Sequence, residues 1–255
     1  MRINPLRAMK AEGRPIINAW LSIGSAYAAE TIAHQGFDAA TIDCQHGMIG
    51  FETALSMLHA LSSTPATPLV RPSRLDPAEI MHYLDAGSYG VICPMISTAA
   101  DAAALVSACR YPPAGSRSFG PARGLLYGGA DYRTGADEAI VVLAMIETVE
   151  GLDNLAAILA VPGLDGIYVG PNDLSLGMGC EPANEPEAGP VAVAIDNICQ
   201  QTRAAGKIAG IFCSDGEAAA RRVAEGFDFV TPGNDAALLR RIMTQEVKRA
   251  RSERT

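Results

Sequence analysis

The sequence predicts an α/β protein, a (β/α)8 TIM barrel built as a single domain over residues 1–255. Three observations predict it. Short β-branched runs alternate strictly with alanine-rich segments of helical spacing, eight of each, and this argues for a closed parallel sheet over an open one. The length of 255 residues is that of one such barrel. Turns entering the strands repeat a small residue, a glycine and an aromatic, as in Gln35-Gly36-Phe37, Ala86-Gly87-Ser88-Tyr89 and Glu225-Gly226-Phe227. Glycine there ends a helix in the left-handed conformation, which places these turns at the bottom of the barrel in a structural role.

The elements follow in order. Ile16–Leu21 is the first strand, after a start that Arg2, Arg7, Lys10 and Arg14 keep from resembling a signal peptide. Helix Tyr27–Gln35, strand Ala39–Ile42 and helix Phe51–Leu61 come next, then strand Pro68–Val70 and helix Pro77–Ala86. Strand Gly90–Cys93 and helix Ala99–Cys109 close the first half. The second half reads as strands Ile140–Ile146, Gly166–Val169, Ile208–Phe212 and Phe227–Thr231, followed in turn by helices Glu150–Leu159, Val191–Ala205, Glu217–Ala224 and Ala236–Lys248. Two long connections, Arg110–Glu138 and Gly177–Pro190, break the rhythm and are expected as irregular segments near the top face or its edge.

Composition excludes several functions. With 49% hydrophobic and 19% charged residues, the chain is a packed globular protein. Its net charge is −8, and its one basic run is the short tail Lys248–Arg254, so nucleic acid is not an expected partner. No apolar stretch is long enough to span a membrane. Six cysteines without a CxxC pair read as buried free thiols, which points to a cytoplasmic location.

Chemistry concentrates where strands end, because side chains there share the barrel's mouth. Strand Ile140–Ile146 runs into Glu147, and Gly166–Val169 runs into Gly170-Pro171-Asn172-Asp173. Two acids from neighbouring strand ends, with no cysteine or ligand-spaced histidine nearby, suit a hard cation such as Mg²⁺ or Mn²⁺. Strand two ends in Asp43-Cys44-Gln45-His46, and strand three in Arg71-Pro72. Singly, each has a plainer explanation: His46 as a surface residue, Arg71 as an ion-pair partner, Glu147 or Asp173 as helix caps. Four motifs on one barrel face outweigh those explanations together. The three lysines, Lys10, Lys207 and Lys248, lie in terminal segments or at the opposite end of the barrel, so no Schiff-base lysine is in place.

Five stretches carry a family resemblance: Ile42-Asp43-Cys44-Gln45-His46-Gly47; Val70-Arg71-Pro72; Arg110-Tyr111-Pro112-Pro113-Ala114-Gly115-Ser116-Arg117; Ile146–Asn154; and Val169–Ser175. In that order, and over nearly the whole chain, they resemble the HpcH/HpaI aldolases, class II metal-dependent pyruvate aldolases that include 4-hydroxy-2-oxoheptane-1,7-dioate aldolase. The resemblance implies a barrel whose C-terminal helix is exchanged between protomers, in a hexamer of paired trimers. It implies that Glu147 and Asp173 hold a divalent metal, Mg²⁺ or Mn²⁺ with Co²⁺ and Zn²⁺ as alternatives. The backbone amides of Asn172 and Asp173, shaped by Gly170 and Pro171, would receive the substrate carboxylate. Arg71 would stabilise the enolate oxygen, His46 would be the base, and Asp85 would raise the basicity of that histidine. Because Asp85 ends a helix on the barrel's bottom side, it would reach His46 most easily from a neighbouring protomer, with action within one protomer left open. The implied substrates are a 2-oxoacid, pyruvate or hydroxypyruvate, and an aldehyde.

This sequence departs from many relatives at Gln45, where they carry Glu, and at Met145, where they carry Gln. Met145 lies two residues before Glu147 and is therefore expected on the same strand face, toward the donor; its thioether offers shape rather than a directional hydrogen bond. Three alternatives stand beside this reading. A citrate-lyase-type acyl-CoA lyase would need Arg110, Arg117, Arg123 and Arg133 to form a basic groove. A phosphosugar enzyme would rest on the weak loop Thr231-Pro232-Gly233-Asn234. A non-catalytic barrel subunit would leave the shared acids, His46 and Arg71 without a purpose. Borohydride added with pyruvate should leave the mass of the intact protein unchanged; an adduct on any lysine would overturn the metal-dependent assignment.

Overall fold

The computed structural model describes residues 1–252; of the basic tail Lys248–Arg254, residues 253 and 254 lie outside that range. Eight parallel strands close into one barrel, β8 returning to pair with β1. They are β1 (Ile16–Leu21), β2 (Ala39–Asp43), β3 (Thr67–Arg71), β4 (Gly90–Cys93), β5 (Val141–Ile146), β6 (Gly166–Val169), β7 (Ile208–Cys213) and β8 (Phe229–Pro232). Every expected strand is present within two residues of its expected ends.

A short helix that periodicity did not announce, α1 (Leu6–Ala11), precedes the barrel and closes its bottom. Leu6 and Met9 enter the barrel interior, while Arg7 pairs with Asp165 at 2.7 Å and Lys10 with Asp228 at 2.9 Å. Around the barrel run α2 (Ala26–Ala33), α3 (Phe51–Leu61), α4 (Pro77–Asp85) and α5 (Ala99–Cys109). The connection after α5 contains α6 (Ala122–Gly128) and α7 (Tyr132–Ala139). The helix expected over Glu150–Leu159 is split into α8 (Val149–Asp153) and α9 (Leu155–Leu159) at Asn154, whose side-chain amide donates to the Ser97 carbonyl at 2.9 Å. Beyond β6 come α10 (Pro171–Gly177), α11 (Pro190–Ala204), α12 (Gly216–Glu225) and α13 (Asp235–Ser252).

Local chemistry explains the alternation. At the top, helices start on side-chain caps: Ser25 before α2, Asp76 with Pro77 before α4, Thr98 in a capping box with Asp101, Thr148 before α8 and Asp215 before α12. At the bottom, Gly226 takes φ of 112° so that the Phe227 amide turns back to the Arg222 carbonyl, and Gly36 and Gly87 are likewise left-handed. The turns thus have the structural role expected of them.

Strand faces divide between two environments. Trp20, Leu69, Ile92, Leu143, Tyr168 and Phe229 fill the barrel, and the opposite faces pack against the helices. A buried polar layer crosses the interior: Thr41 donates to Asn18 at 2.9 Å, and Asn18 and Tyr168 both donate to the Thr231 hydroxyl, at 3.0 and 2.7 Å. Such a network fixes rotamers just beneath the mouth.

One expectation needs correction. The connection Arg110–Glu138 is neither irregular nor at the top: it leads from α5 into the start of β5, on the bottom side, and folds into α6 and α7. It is held there by Arg117, wholly buried, which donates to Asp85 at 2.8 Å and stacks over the Tyr111 ring. Glycines masked this segment, yet Gly124 and Gly128 are where α6 packs closely on Tyr132. The second connection, following β6, does lie at the top. Close strand approach gives a test of the fold: a Cβ on Gly166 would fall on the Ile208 carbonyl oxygen in β7. Gly166→Ala should lower stability by about 1–3 kcal/mol, read as a shifted denaturation midpoint with an unchanged slope.

Candidate active site

Strand register builds the mouth. Asp43 ends β2 and Arg71 ends β3, and the two are register partners. The guanidinium therefore grips the carboxylate with two bonds, Nε to Oδ1 at 2.8 Å and Nη2 to Oδ2 at 2.7 Å. Both groups are buried, the guanidinium lies 4.7 Å above the Trp20 ring, and the indole N–H donates to Asp43 at 3.1 Å. Burial alone would raise the Asp43 carboxyl, but its bonds to Arg71, the His46 amide and Trp20 together hold it below the ordinary 3.8. The amides of Gln45 and His46 both donate to Asp43 Oδ1 at 3.1 Å, so the same carboxylate sets the turn that presents His46.

Met145 on β5 and Glu147 just past its end share a face, as the period of two requires. Ile146 is register partner to Val169, which sets Glu147 beside Gly170 one residue further on. A Cβ on Gly170 would come within 2.6 Å of Glu147 Oε2 and 3.5 Å of Met145 Sδ, so the glycine is needed for this approach. The other oxygen of Glu147 accepts from the Met95 amide at 2.7 Å. Met95 adopts φ of 58°, a conformation costly for a side chain with a Cβ, and that twist belongs to the loop that aims its N–H.

Glu147 is 3% exposed, and burial, together with the neighbouring Asp173 carboxylate, pushes it up to about 7 against the pull of the Met95 amide and Arg71. One cavity of about 310 Å³ is lined by His46, Arg71, Met145, Glu147, Gly170, Pro171, Asn172 and Asp173, along with Asp43. Trp20 and Phe212 contribute aromatic wall, and Asn184 reaches in from the second connection.

The cavity is electrically incomplete. Asp43 and Arg71 neutralise one another, whereas Glu147 and Asp173 face each other with no cationic partner of their own in the lining. Two such carboxylates fit a divalent cation that completes its shell with water and substrate oxygens. No cluster of three or more His, Cys, Asp or Glu side chains suited to a metal occurs among the described residues, so a protein-only cage is not what this mouth offers.

Most of the anticipated residues converge here; Asp85 does not. It ends α4 on the bottom side, bound to Arg117, and is absent from the cavity's lining. Gln45 is also outside the lining, its Oε1 buried without a partner. Trp20, the chain's only tryptophan, stands one residue before a strand end, and that position is the signal in the sequence that marks it. Phe212 had the same signal in weaker form. Asn184 had none, since it sits in a Pro- and Glu-rich connection.

The arginines reserved for a CoA groove are engaged elsewhere. Arg110 binds the Gly163 carbonyl and Asp165, Arg117 binds Asp85, and Arg123 binds the carbonyls of Ala86 and Leu58. Arg133 is exposed on α7, in the bottom connection.

Residues 17–241 match the family described as HpcH/HpaI aldolase/citrate lyase. The chain is 44% identical over 250 residues to a hydroxypyruvate/pyruvate aldolase of Rhizorhabdus wittichii, covering 98% of this chain and 100% of that one. It is 44% identical over 238 residues to a 4-hydroxy-2-oxo-heptane-1,7-dioate aldolase of Salmonella dublin, covering 92% and 89%. Among solved structures, an HpcH/HpaI aldolase/citrate lyase family protein from Burkholderia cenocepacia superposes with a TM-score of 0.90 at 32% identity, covering 97% of this chain and 99% of that one. A citrate lyase beta subunit from Mycobacterium tuberculosis reaches 0.58 at 18% identity, covering 90% and 95%, and shares the fold alone.

The raised Glu147 carboxyl has a thermodynamic signature. Between the ordinary 4.5 and its folded value of about 7, the native state binds the extra proton, so the cation-free protein gains stability as pH falls through that window. Glu147→Gln should remove this dependence and raise cation-free stability at pH 8 by about 3 kcal/mol, while weakening Mn²⁺ binding. Melting curves at pH 5.5 and 8 with and without chelator check both.

Proposed function

We infer the function from one premise: the chain belongs to the HpcH/HpaI aldolase/citrate lyase family, and is an aldolase-type carbon–carbon lyase. On this reading it makes and cleaves 4-hydroxy-2-oxoacids, joining pyruvate or hydroxypyruvate to an aldehyde. The observation that carries the reading is the uncompensated pair Glu147 and Asp173 beside a fixed guanidinium and an accessible imidazole. Glu147 and Asp173 would hold a divalent cation, Mg²⁺ or Mn²⁺ before Co²⁺ or Zn²⁺ because the donor set is all oxygen. When bound, it would supply Lewis-acid polarisation of the donor's keto oxygen.

The chain's own groups do the rest. The backbone amides of Asn172 and Asp173 receive the donor's carboxylate, with Gly170 and Pro171 shaping that turn. Arg71, its orientation locked by Asp43, places its remaining N–H groups toward the oxygen on which charge develops. His46 takes the C3 proton through a water and returns it to the alkoxide formed with the aldehyde. Reversal of these steps cleaves the product.

Asp85 acts on His46, in this proposal, only across a subunit boundary, because within one chain it hangs from the bottom of α4. The assembly proposed is a hexamer of paired trimers that exchange α13. Support comes from α13 itself: every side chain described from Leu239 onward is exposed, including Leu239, Ile242, Met243 and Val247. A cytoplasmic location is supported by six free cysteines, and no described helix is long and apolar enough to cross a membrane. The acyl-CoA alternative loses its basic groove to the bottom-side pairs above.

Exchange of pyruvate C3 protons into D2O tests the reading without needing the aldehyde. Exchange should require Mn²⁺ or Mg²⁺ and stop on chelation, with the circular dichroism unchanged. His46→Ala should slow it about 10²–10⁴-fold while Mn²⁺ affinity persists. Full exchange in chelated protein would defeat the cation-dependent mechanism.

A further inference from the structure

The rim of the mouth carries a polar pair that the chemistry above does not use. Asn172 Nδ2 donates to Asn184 Oδ1 at 2.6 Å, and both side chains line the cavity. Asn172 is exposed at the rim and Asn184 half-buried, whereas Met145 and Tyr168 lie buried in the lining. One bond between two asparagines leaves a carbonyl oxygen on one and an NH2 group on the other, whichever way each amide is turned. Neither side-chain amide has another hydrogen-bond partner among the described residues.

The pair is also held in place before any substrate arrives. Next to Asn184, Glu185 accepts from the Ser214 amide at 2.9 Å and pairs with the buried Arg222 at 3.6 Å. The connection is thereby fastened to β7 and α12 instead of swinging free. Asn172 is fixed by its place in the first turn of α10.

Three kinds of group at the far end of an aldehyde meet this rim differently. A hydroxyl accepts from the free NH2 and donates to the free carbonyl, satisfying both. An alkyl group would dry the pair and leave both functions unpaired. A carboxylate would find no guanidinium or ammonium of its own, since Arg71 is the lining's one guanidinium, no lysine lines the cavity, and the N–H groups of Arg71 not bonded to Asp43 are assigned above to the donor's oxygen.

We infer that the Asn172–Asn184 pair is a specificity subsite selecting hydroxyl-bearing acceptor aldehydes over alkyl or carboxylate ones. This rests on the aldolase reading above and names its acceptor class. Glycolaldehyde and propanal are nearly isosteric and differ in the group that would meet the pair, so their kcat/KM ratio with pyruvate reads the subsite. Wild-type enzyme should favour glycolaldehyde over both propanal and succinic semialdehyde. Asn184→Leu, and Asn184→Ala in case leucine is poorly accommodated, should lower the glycolaldehyde-to-propanal ratio about tenfold, the worth of a neutral hydrogen bond. The loss should fall mainly on KM for glycolaldehyde. A ratio unchanged in both variants, or a wild-type preference for propanal or succinic semialdehyde, overturns the subsite. Wild-type protein that exchanges no pyruvate C3 protons would instead overturn the aldolase reading, and the subsite with it.

Discussion

Closure of the barrel is the constraint from which the site follows. Once β8 pairs back to β1, the ends of all eight strands lie on one ring, and residues distant in sequence must meet. Asp43 and Arg71 are neighbours because their strands are in register at that level. Glu147 and Gly170 stand side by side because β5 and β6 are paired up to the residue before each. The missing Cβ at Gly170 then decides how near the next strand can bring its own acid. Geometry of this kind needs no loop to fold onto substrate; it is fixed by backbone hydrogen bonds and by the polar layer of Asn18, Thr41, Tyr168 and Thr231 underneath.

The same constraint forces charges together, and the structure handles its two acid positions differently. Asp43 is buried with a bidentate guanidinium and three further donors, so its charge is stabilised and its carboxyl held low. Glu147 is buried with one backbone donor and another acid beside it, so its charge is penalised. A chain selected only for stability would not keep the second arrangement, because burying an unpaired carboxylate costs free energy that no local contact returns. The left-handed Met95 points the same way: a strained residue whose amide meets that carboxylate. Strain and desolvation coincide at one oxygen pair, which is where cation binding would recover them.

What was legible in the sequence is what local period and strand-end position encode. The eight strands, the acids just beyond β5 and β6, His46 beyond β2 and Arg71 at the end of β3 all follow from apolar runs ending in polar residues. What was not legible depends on contacts across the molecule. Helix α1 is short and mostly polar on one side, and it is secured by Asp165 and Asp228, more than 150 residues away. Helices α6 and α7 were hidden by glycines that serve close packing and not flexibility, Gly124 and Gly128 against Tyr132 and Gly135 against Met1. Asn184 reaches the mouth only because Glu185 beside it finds Ser214 and Arg222, a pairing no window of sequence contains. Asp85 was recognised by resemblance, and the single chain shows why position alone could not assign it: its partner here is Arg117, on the far side of the barrel from His46.

The arginines separate the two ends of the molecule. At the bottom, Arg7, Arg110, Arg117 and Arg123 are tied to carboxylates and carbonyls, joining α1 and the α5–β5 connection to the barrel. At the mouth there is one, and its two strong bonds point inward to Asp43. A protein with net charge −8 that spends its guanidiniums this way cannot capture anionic substrates by general attraction. On the proposed reading an oxoacid would be recognised at short range, by backbone amides at the start of α10, by the remaining N–H groups of Arg71 and by the cation that would offset Glu147 and Asp173. Recognition that depends on an offsetting cation couples affinity for the donor to occupancy of the two acids: with them unbalanced, an approaching carboxylate meets negative charge. On that reading the cation would precede the donor, and the proposed asparagine rim would meet the aldehyde last.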